Sequence, residues 1–254
     1  MLADEVKALT FDVFGTVVDY RSTIIYEGEQ LSQQKGLKVD WDAFAYAWRN
    51  RYNPFIQRVE QHELPWTKLD TLHRLALEEV LAEFKLTNLT EEEKVHLNRV
   101  WHRLQPWPDS VEGLTRLRQK FVLATLSNGN MALLTNMAKY SGLPWDCILS
   151  AELVRAYKPN PAVYQMAIEL LDLPAEQIML VAAHPYDLQA AQSHGFKTAF
   201  IPRPLEYGPR HVLELTPDPS FDLVANDMLD LARQLVFQSP LAEVQYTDEN
   251  QKDL

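Results

Sequence analysis

A short apolar run, Ala8-Leu9-Thr10-Phe11, climbs to Asp12 and is broken at once by Gly15-Thr16. A strand that ends this way puts the Asp12 carboxylate at the carboxyl edge of a sheet, where open α/β folds bind their ligands. Taken alone, the segment also fits a buried strand whose aspartate merely caps a turn. The rest of the chain supplies the context. From Phe121 onward apolar runs alternate with helical stretches: Phe121–Leu126, Cys147–Leu149, Gln177–Ala183, Lys197–Ile201 and Phe221–Val224 read as strands. Between them Ala132–Tyr140, Pro161–Leu171, Leu188–His194 and Met228–Val236 read as helices. Strand–helix alternation of this kind predicts a parallel sheet covered on both faces.

The stretch between the first strand and Leu104 has another character. Phe44, Trp48, Tyr52 and Phe55 recur at three- and four-residue steps within Trp41–Glu60, and Leu69, Leu72, Ala76, Val80 and Phe84 repeat the pattern. Thr90 followed by Glu91-Glu92-Glu93 is an N-cap with acids in the first turn, opening a helix that runs to about Leu104. No strand is expected from Tyr20 to Leu104. The expected fold is therefore a doubly wound, Rossmann-like parallel-sheet core, residues 1–16 and 106–236, with an inserted helical cap, residues 17–105. Residues 237–254 are polar and read as a tail.

Composition narrows the functional classes. A chain of 254 residues with 46% apolar and 23% charged residues can bury a sizeable core. A net charge of −11 argues against a nucleic-acid surface, so an anionic ligand must be drawn in by a few local cations. The single cysteine, Cys147, excludes an intrachain disulfide and reads as a small buried apolar residue. No apolar stretch approaches a membrane span, and Met1–Lys7 lacks the pattern of a signal peptide, so a cytoplasmic location is expected.

Strand ends far apart in sequence bring polar residues to the same sheet edge. The first delivers Asp12 and Thr16. The second delivers Ser127-Asn128-Gly129. Tyr157-Lys158-Pro159, with Tyr164 six residues beyond Lys158, adds a cation beside a phenol, and Gln177–Ala183 leads into His184-Pro185-Tyr186-Asp187. The position two residues after Asp12 is Phe14, not a second acid, and the place where a second acid would precede Asp187 is Ala183. So few hard oxygen donors cannot complete the near-octahedral shell that Mg²⁺ demands. A metal-free, cofactor-free site is expected.

These segments in this order resemble the haloacid dehalogenase superfamily, and Ser-Asn-Gly followed by Tyr-Lys-Pro resembles its type II branch, the L-2-haloacid dehalogenases. The resemblance spans core and cap and implies a hydrolase that releases halide from small 2-haloalkanoates through an ester on Asp12. It implies that Lys158 holds Asp12 ionised, that Thr16 and Tyr164 help to position the site, and that Asp187 activates water. Ser127 and the backbone N–H groups after Asp12, Val13 among them, would hold the substrate carboxylate. Trp48-Arg49-Asn50-Arg51 resembles the family's cap segment, which makes Arg49 the halide-side cation, with Asn128 sharing the task. Phe14, Tyr186 and a cap aromatic such as Trp66 would wall the pocket.

The chain also departs from that pattern. Ala182 and His184 stand where the best-matched dehalogenases have serine and asparagine. His184 can orient water, share the proton of Asp187 or shape the halide pocket, or it can be a structural ring beside Pro185. The rival readings are a phosphatase or phosphoryl-transfer enzyme on the same fold and a non-catalytic relative that binds a small anion. Homodimerisation is expected by analogy with the family.

Overall fold

The computed structural model describes residues 2–214 and 216–236. The expected tail, residues 237–254, lies outside the described residues. In chain order the elements are α1 (Leu2–Glu5), β1 (Ala8–Phe11), β2 (Val18–Asp19), α2 (Tyr20–Lys35), α3 (Trp41–Asn50), α4 (Tyr52–Glu60), α5 (Leu69–Glu83), α6 (Glu91–Asn98), β3 (Gln105–Pro106) and α7 (Ser110–Leu117). Then follow β4 (Val122–Ser127), α8 (Met131–Ser141), β5 (Cys147–Ser150), α9 (Pro161–Leu171), β6 (Ile178–Ala182), α10 (Pro185–Ser193), β7 (Lys197–Phe200), β8 (Leu223–Val224) and α11 (Met228–Val236).

The strands form a parallel sheet in the order β5-β4-β1-β6-β7-β8. Strand β1 is central and every one of its residues is buried, as expected where helices cover both faces. Its last residue, Phe11, pairs with Thr125 of β4 and Val181 of β6. The chain winds to one side of β1 through β4 and β5 and returns to the other through β6, β7 and β8. That reversal opens a crevice at the carboxyl ends of the central strands. Asp12 stands in it.

Between β1 and β4 the helices α2 to α6 pack into a separate layer above this edge, around Phe44, Trp48, Leu72, Leu77, Val80 and Trp101. Two two-residue strands, β2 and β3, pair antiparallel where the chain enters and leaves that layer. Strands this short carry no periodicity, so the sequence gives no sign of them. The single helical run read over Trp41–Glu60 breaks at Arg51 into α3 and α4. Pro54 explains the break, since it lacks the N–H that would bond back to Asn50 and its ring crowds that carbonyl. The capping box opening α6 forms as its sequence indicates, with the Thr90 hydroxyl accepting from Glu93 N–H and the Glu93 carboxylate accepting from Thr90 N–H. That helix ends at Asn98 and passes through a 3₁₀ turn before β3. Among the described residues no helix is long and apolar enough to cross a membrane. Cys147 is half-buried on β5.

Candidate active site

Asp12 follows β1 directly, its N–H donating to the Val181 carbonyl at 3.1 Å, so the sheet itself orients the residue. The two carboxylate oxygens have different surroundings. Oδ1 accepts one bond, from Lys158 Nζ at 3.0 Å. Oδ2 sits between two donors, Thr16 Oγ1 at 2.7 Å and His184 Nδ1 at 2.9 Å. Thr16 is itself held, because its hydroxyl oxygen accepts the Ala183 N–H at 2.9 Å. Burial alone pushes the Asp12 carboxyl up, but Lys158, His184 and Thr16 together hold it well below the usual carboxylate range. Asp12 is therefore an anion at neutral pH.

Lys158 bridges two acids. Its ammonium also donates to Asp187 Oδ2, and Tyr164 OH donates to Asp187 Oδ1 at 2.7 Å. Asp187 is 1% exposed, and burial raises its pKa above the ordinary value although Lys158 pulls the other way. Burial likewise opposes the charge on Lys158, yet Asp12 and Asp187 keep it protonated. The loop after β4 supports this cluster from the side. Asn128 Oδ1 accepts the Lys158 N–H at 2.8 Å, while its Nδ2 donates to Tyr52 OH on α4, also at 2.8 Å. Ser127 is fully buried and its hydroxyl accepts the Gly129 N–H at 3.2 Å. It is a turn-former and not the cap of α8, because that position belongs to Asn130.

His184 has an acid on each side of its ring. Its Nδ1 faces Asp12 and its Nε2 lies 2.9 Å from Glu206 Oε2. Burial disfavours the charged ring, but Glu206 and Asp12 outweigh it and push the pKa up to about 10. Caught between two carboxylates, it is an imidazolium that donates to both. Glu206 is the functional residue that sequence reasoning missed. It is 1% exposed, and its other oxygen accepts from Tyr20 OH at 3.3 Å and lies 3.7 Å from Arg49 Nη2. Its place is prepared by Gly15, where an added Cβ would fall 2.5 Å from the Glu206 carboxyl carbon. Gly15 also has φ +83°, a second reason for glycine in this turn. The one available signal was an acid in the Pro-flanked segment just beyond a strand end, Pro202-Arg203-Pro204-Leu205-Glu206.

Arg49 on α3 comes down from the helical layer and is buried with Tyr52 and Tyr20 on its faces, their ring centroids 4.5 and 5.5 Å from Cζ. Its Nε is buried and has no hydrogen-bond partner among the described residues. Tyr20 and Tyr52, not Trp66, are thus the cap aromatics that flank the cation, since Trp66 packs against Tyr157 at 4.8 Å. Phe14 turns edge-on to Trp101 and His73, and burial holds His73 neutral, lowering its pKa to about 3. Val13 is buried, with its carbonyl closing the turn after β1 by accepting the Val17 and Val18 N–H groups. Tyr186 is 52% exposed, its ring 5.6 Å from His184, beside a cleft of about 460 Å³ that reaches Tyr52, Ile56, Asn128 and Lys158. Among the described residues no group of three or more His, Cys, Asp or Glu side chains is placed to hold a metal ion. The arrangement offers an ionised carboxylate held by a lysine, a threonine and a histidine, with a second acid on the same lysine.

The chain is similar to known proteins over most of its length. Residues 6–195 match the family model of the haloacid dehalogenase-like hydrolases. The (S)-2-haloacid dehalogenase 4A of Burkholderia cepacia is 29% identical over 220 residues, covering 81% of this chain and 88% of that protein. Among solved structures, the L-2-haloacid dehalogenase PA0810 is 47% identical with a TM-score of 0.87, covering 91% of this chain and 98% of that one. The defluorinating L-2-haloacid dehalogenase Rha0230 is 44% identical, also with a TM-score of 0.87, over 91% and 95% of the two chains. The chain belongs to the haloacid dehalogenase-like hydrolases and, within them, to the L-2-haloacid dehalogenase family.

Proposed function

We propose that this carbon–halide hydrolase converts small 2-haloalkanoic acids, haloacetate and L-2-halopropionate, into 2-hydroxy acids through an ester on Asp12. The observation that carries the reading is the asymmetry of that carboxylate. Oδ1, with the single bond from Lys158, is the nucleophile; Oδ2, with Thr16 and His184 donating to it, becomes the ester carbonyl oxygen. Attack of Oδ1 on C2 forms a C–O bond as the C–halogen bond breaks, and the electron pair leaves on the halide toward Arg49. Water then attacks the carbonyl carbon of the Asp12 ester. Negative charge gathers on Oδ2, where two donors already stand in place before reaction, which is how an oxyanion hole works. Asp187 takes the proton of that water, its raised pKa making it a better base than an ordinary aspartate. Collapse of the intermediate releases the hydroxy acid and restores Asp12. Inversion at C2 follows, since C2 is displaced only once.

Residues 17–105 serve in this scheme as the cap that brings Arg49, Tyr20 and Tyr52 over the reacting carbon, while Ser127 and the backbone N–H groups after Asp12 hold the substrate carboxylate. Single turnover with excess enzyme in H₂¹⁸O tests the central step. Label is expected in the Asp12 carboxylate after digestion and mass analysis; label confined to the hydroxy acid would overturn the ester route.

A second test addresses His184. Because its folded-state pKa is raised from 6.5 to about 10, the charged ring contributes stability that is complete below pH 6.5 and lost as pH rises through 10. Loss of that proton also removes a donor from Oδ2. Glu206→Gln takes away the largest charge favouring the imidazolium, so the alkaline limb of kcat/KM should move down by about one pH unit or more. An unchanged limb would show that His184 does not control it.

A further inference from the structure

Helix α8 begins behind an asparagine, one of the residue types best suited to cap a helix N-terminus, yet the Asn130 side chain makes no capping bond. The side chain is 1% exposed and is used elsewhere. Its Oδ1 accepts the backbone N–H of Asp70 at 3.1 Å, and its Nδ2 donates to Asp70 Oδ2 at 2.9 Å. Asp70 lies in the first turn of α5, in the helical layer, whereas Asn130 belongs to the loop after β4 in the sheet domain. The other Asp70 oxygen lies 2.9 Å from His102 Nε2, and Asn136 Nδ2 on α8 donates to His102 Nδ1 at 2.9 Å. Four side chains, two from each layer, thus form a chain of hydrogen bonds, Asn130–Asp70–His102–Asn136, across the boundary. Asn98 adds a bond to the Asp70 carbonyl at 3.2 Å. None of these groups makes a hydrogen bond to Asp12, Lys158 or Asp187 in the described residues, and the reaction scheme uses none of them.

The same loop carries Asn128, which joins Lys158 to Tyr52, and Tyr52 lies under the Arg49 guanidinium. The three-residue loop between β4 and α8, Asn128–Asn130, is therefore fastened to α4 through Asn128 and to α5 through Asn130. We infer that the Asp70–Asn130 pair is a positioning element for dehalogenation, setting the register of the cap on the loop so that Arg49 faces the breaking C2–halogen bond. The inference rests on the reading of Arg49 as the halide-side cation. It follows from how reaction rates depend on placement: a shift of about 1 Å at the reacting centre is enough to cost about 100-fold in rate.

The pair separates two kinds of binding. Groups assigned to the substrate carboxylate lie on the sheet side, and the group assigned to the halide lies on the cap side. Loosening the boundary should therefore lower kcat and leave KM in place. Asn130→Asp sets two carboxylates face to face, Asp70→Asn leaves one acceptor oxygen for two donors, Asn130 Nδ2 and His102 Nε2, and Asn130→Ser replaces both amide atoms by one shorter hydroxyl. With chloroacetate, each is expected to lower kcat about 10- to 100-fold per folded molecule, with KM within about twofold. The folded fraction is read from near-UV circular dichroism.

The exchanged pair, Asp70→Asn with Asn130→Asp, keeps the pattern. The new carboxylate accepts from the backbone N–H of position 70 and from the new amide, whose oxygen still accepts from His102. It is expected to recover kcat to within about threefold of the parent enzyme. Single variants with parental kcat per folded molecule, a loss confined to KM, or an exchange that fails to rescue would each overturn the inference. Arg49→Ala, measured alongside, separates the two ideas. If it keeps its kcat, the halide-side reading of Arg49 fails; if it loses kcat while the pair variants do not, only the positioning inference fails.

Discussion

Replacing Lys158 with methionine is expected to lower kcat by about a thousandfold or more and to weaken the fold together with the reaction. Methionine keeps much of the volume, so the effect isolates the charge. In the parent enzyme one ammonium faces Asp12 Oδ1 at 3.0 Å and also bonds Asp187 Oδ2, with both acids buried. Without it, burial is no longer opposed at Asp187, whose pKa is already raised, and the two carboxylates compete to share a proton. A protonated Asp187 cannot take a proton from water. Asp12 keeps Thr16 and His184 on Oδ2 but loses the ammonium that orients Oδ1. Removing one partner of a buried ion pair typically costs about 3–5 kcal/mol, because a charge is left behind without compensation. Halide release and urea denaturation of the same preparation give the two readouts. A kcat within tenfold of the parent would show that Lys158 is not the group that holds the nucleophile.

Such a prediction was within reach of the sequence, and the reason is geometric. Asp12, Lys158 and Asp187 lie 146 and 29 positions apart in pairs, but each follows an element of the sheet domain at its carboxyl edge. Apolar runs that end at polar residues are visible in any sequence, and a parallel sheet brings all those ends to one side. Thr16, His184 and Asn128 were legible for the same cause, whereas Tyr164, inside α9, was read through the family resemblance. Glu206 was not. It is one acid among 35, it lies on an irregular loop, and its importance arises only because Gly15 and His184 leave it a place. The charge of His184 was hidden with it, since an imidazole beside one carboxylate and an imidazolium between two cannot be told apart without the second. Asn130 was not legible either, because only the tertiary structure shows that its amide crosses to Asp70. Likewise β2 and β3 have no pattern of their own, being held by their pairing where the chain passes between sheet and helices.

Arg49→Lys is expected to lower kcat about a hundredfold or more with little change in KM, although a positive charge remains. Three features of the site make lysine a poor substitute. The guanidinium carbon lies over the rings of both Tyr20 and Tyr52, contacts that suit a planar delocalised cation better than a tetrahedral ammonium. Its Nε has no hydrogen-bond partner among the described residues, so a donor is available as negative charge grows on the departing halogen. Its Nη2 lies 3.7 Å from Glu206, a distance at which the two charges attract while the arginine stays in place. A lysine ammonium, compact and free to rotate, would be drawn to that carboxylate and away from the halogen. Glu206 would then be shared between it and His184, so the alkaline limb of kcat/KM should move down in Arg49→Lys as well. Stabilisation of a leaving halide exists in the transition state and not in the bound substrate, which is why the loss falls on kcat. Chloroacetate and bromoacetate measured in parallel sharpen the test. Chloride, the poorer leaving group, should suffer the larger loss, and equal losses on both substrates would place Arg49 in a step after the carbon–halogen bond has broken.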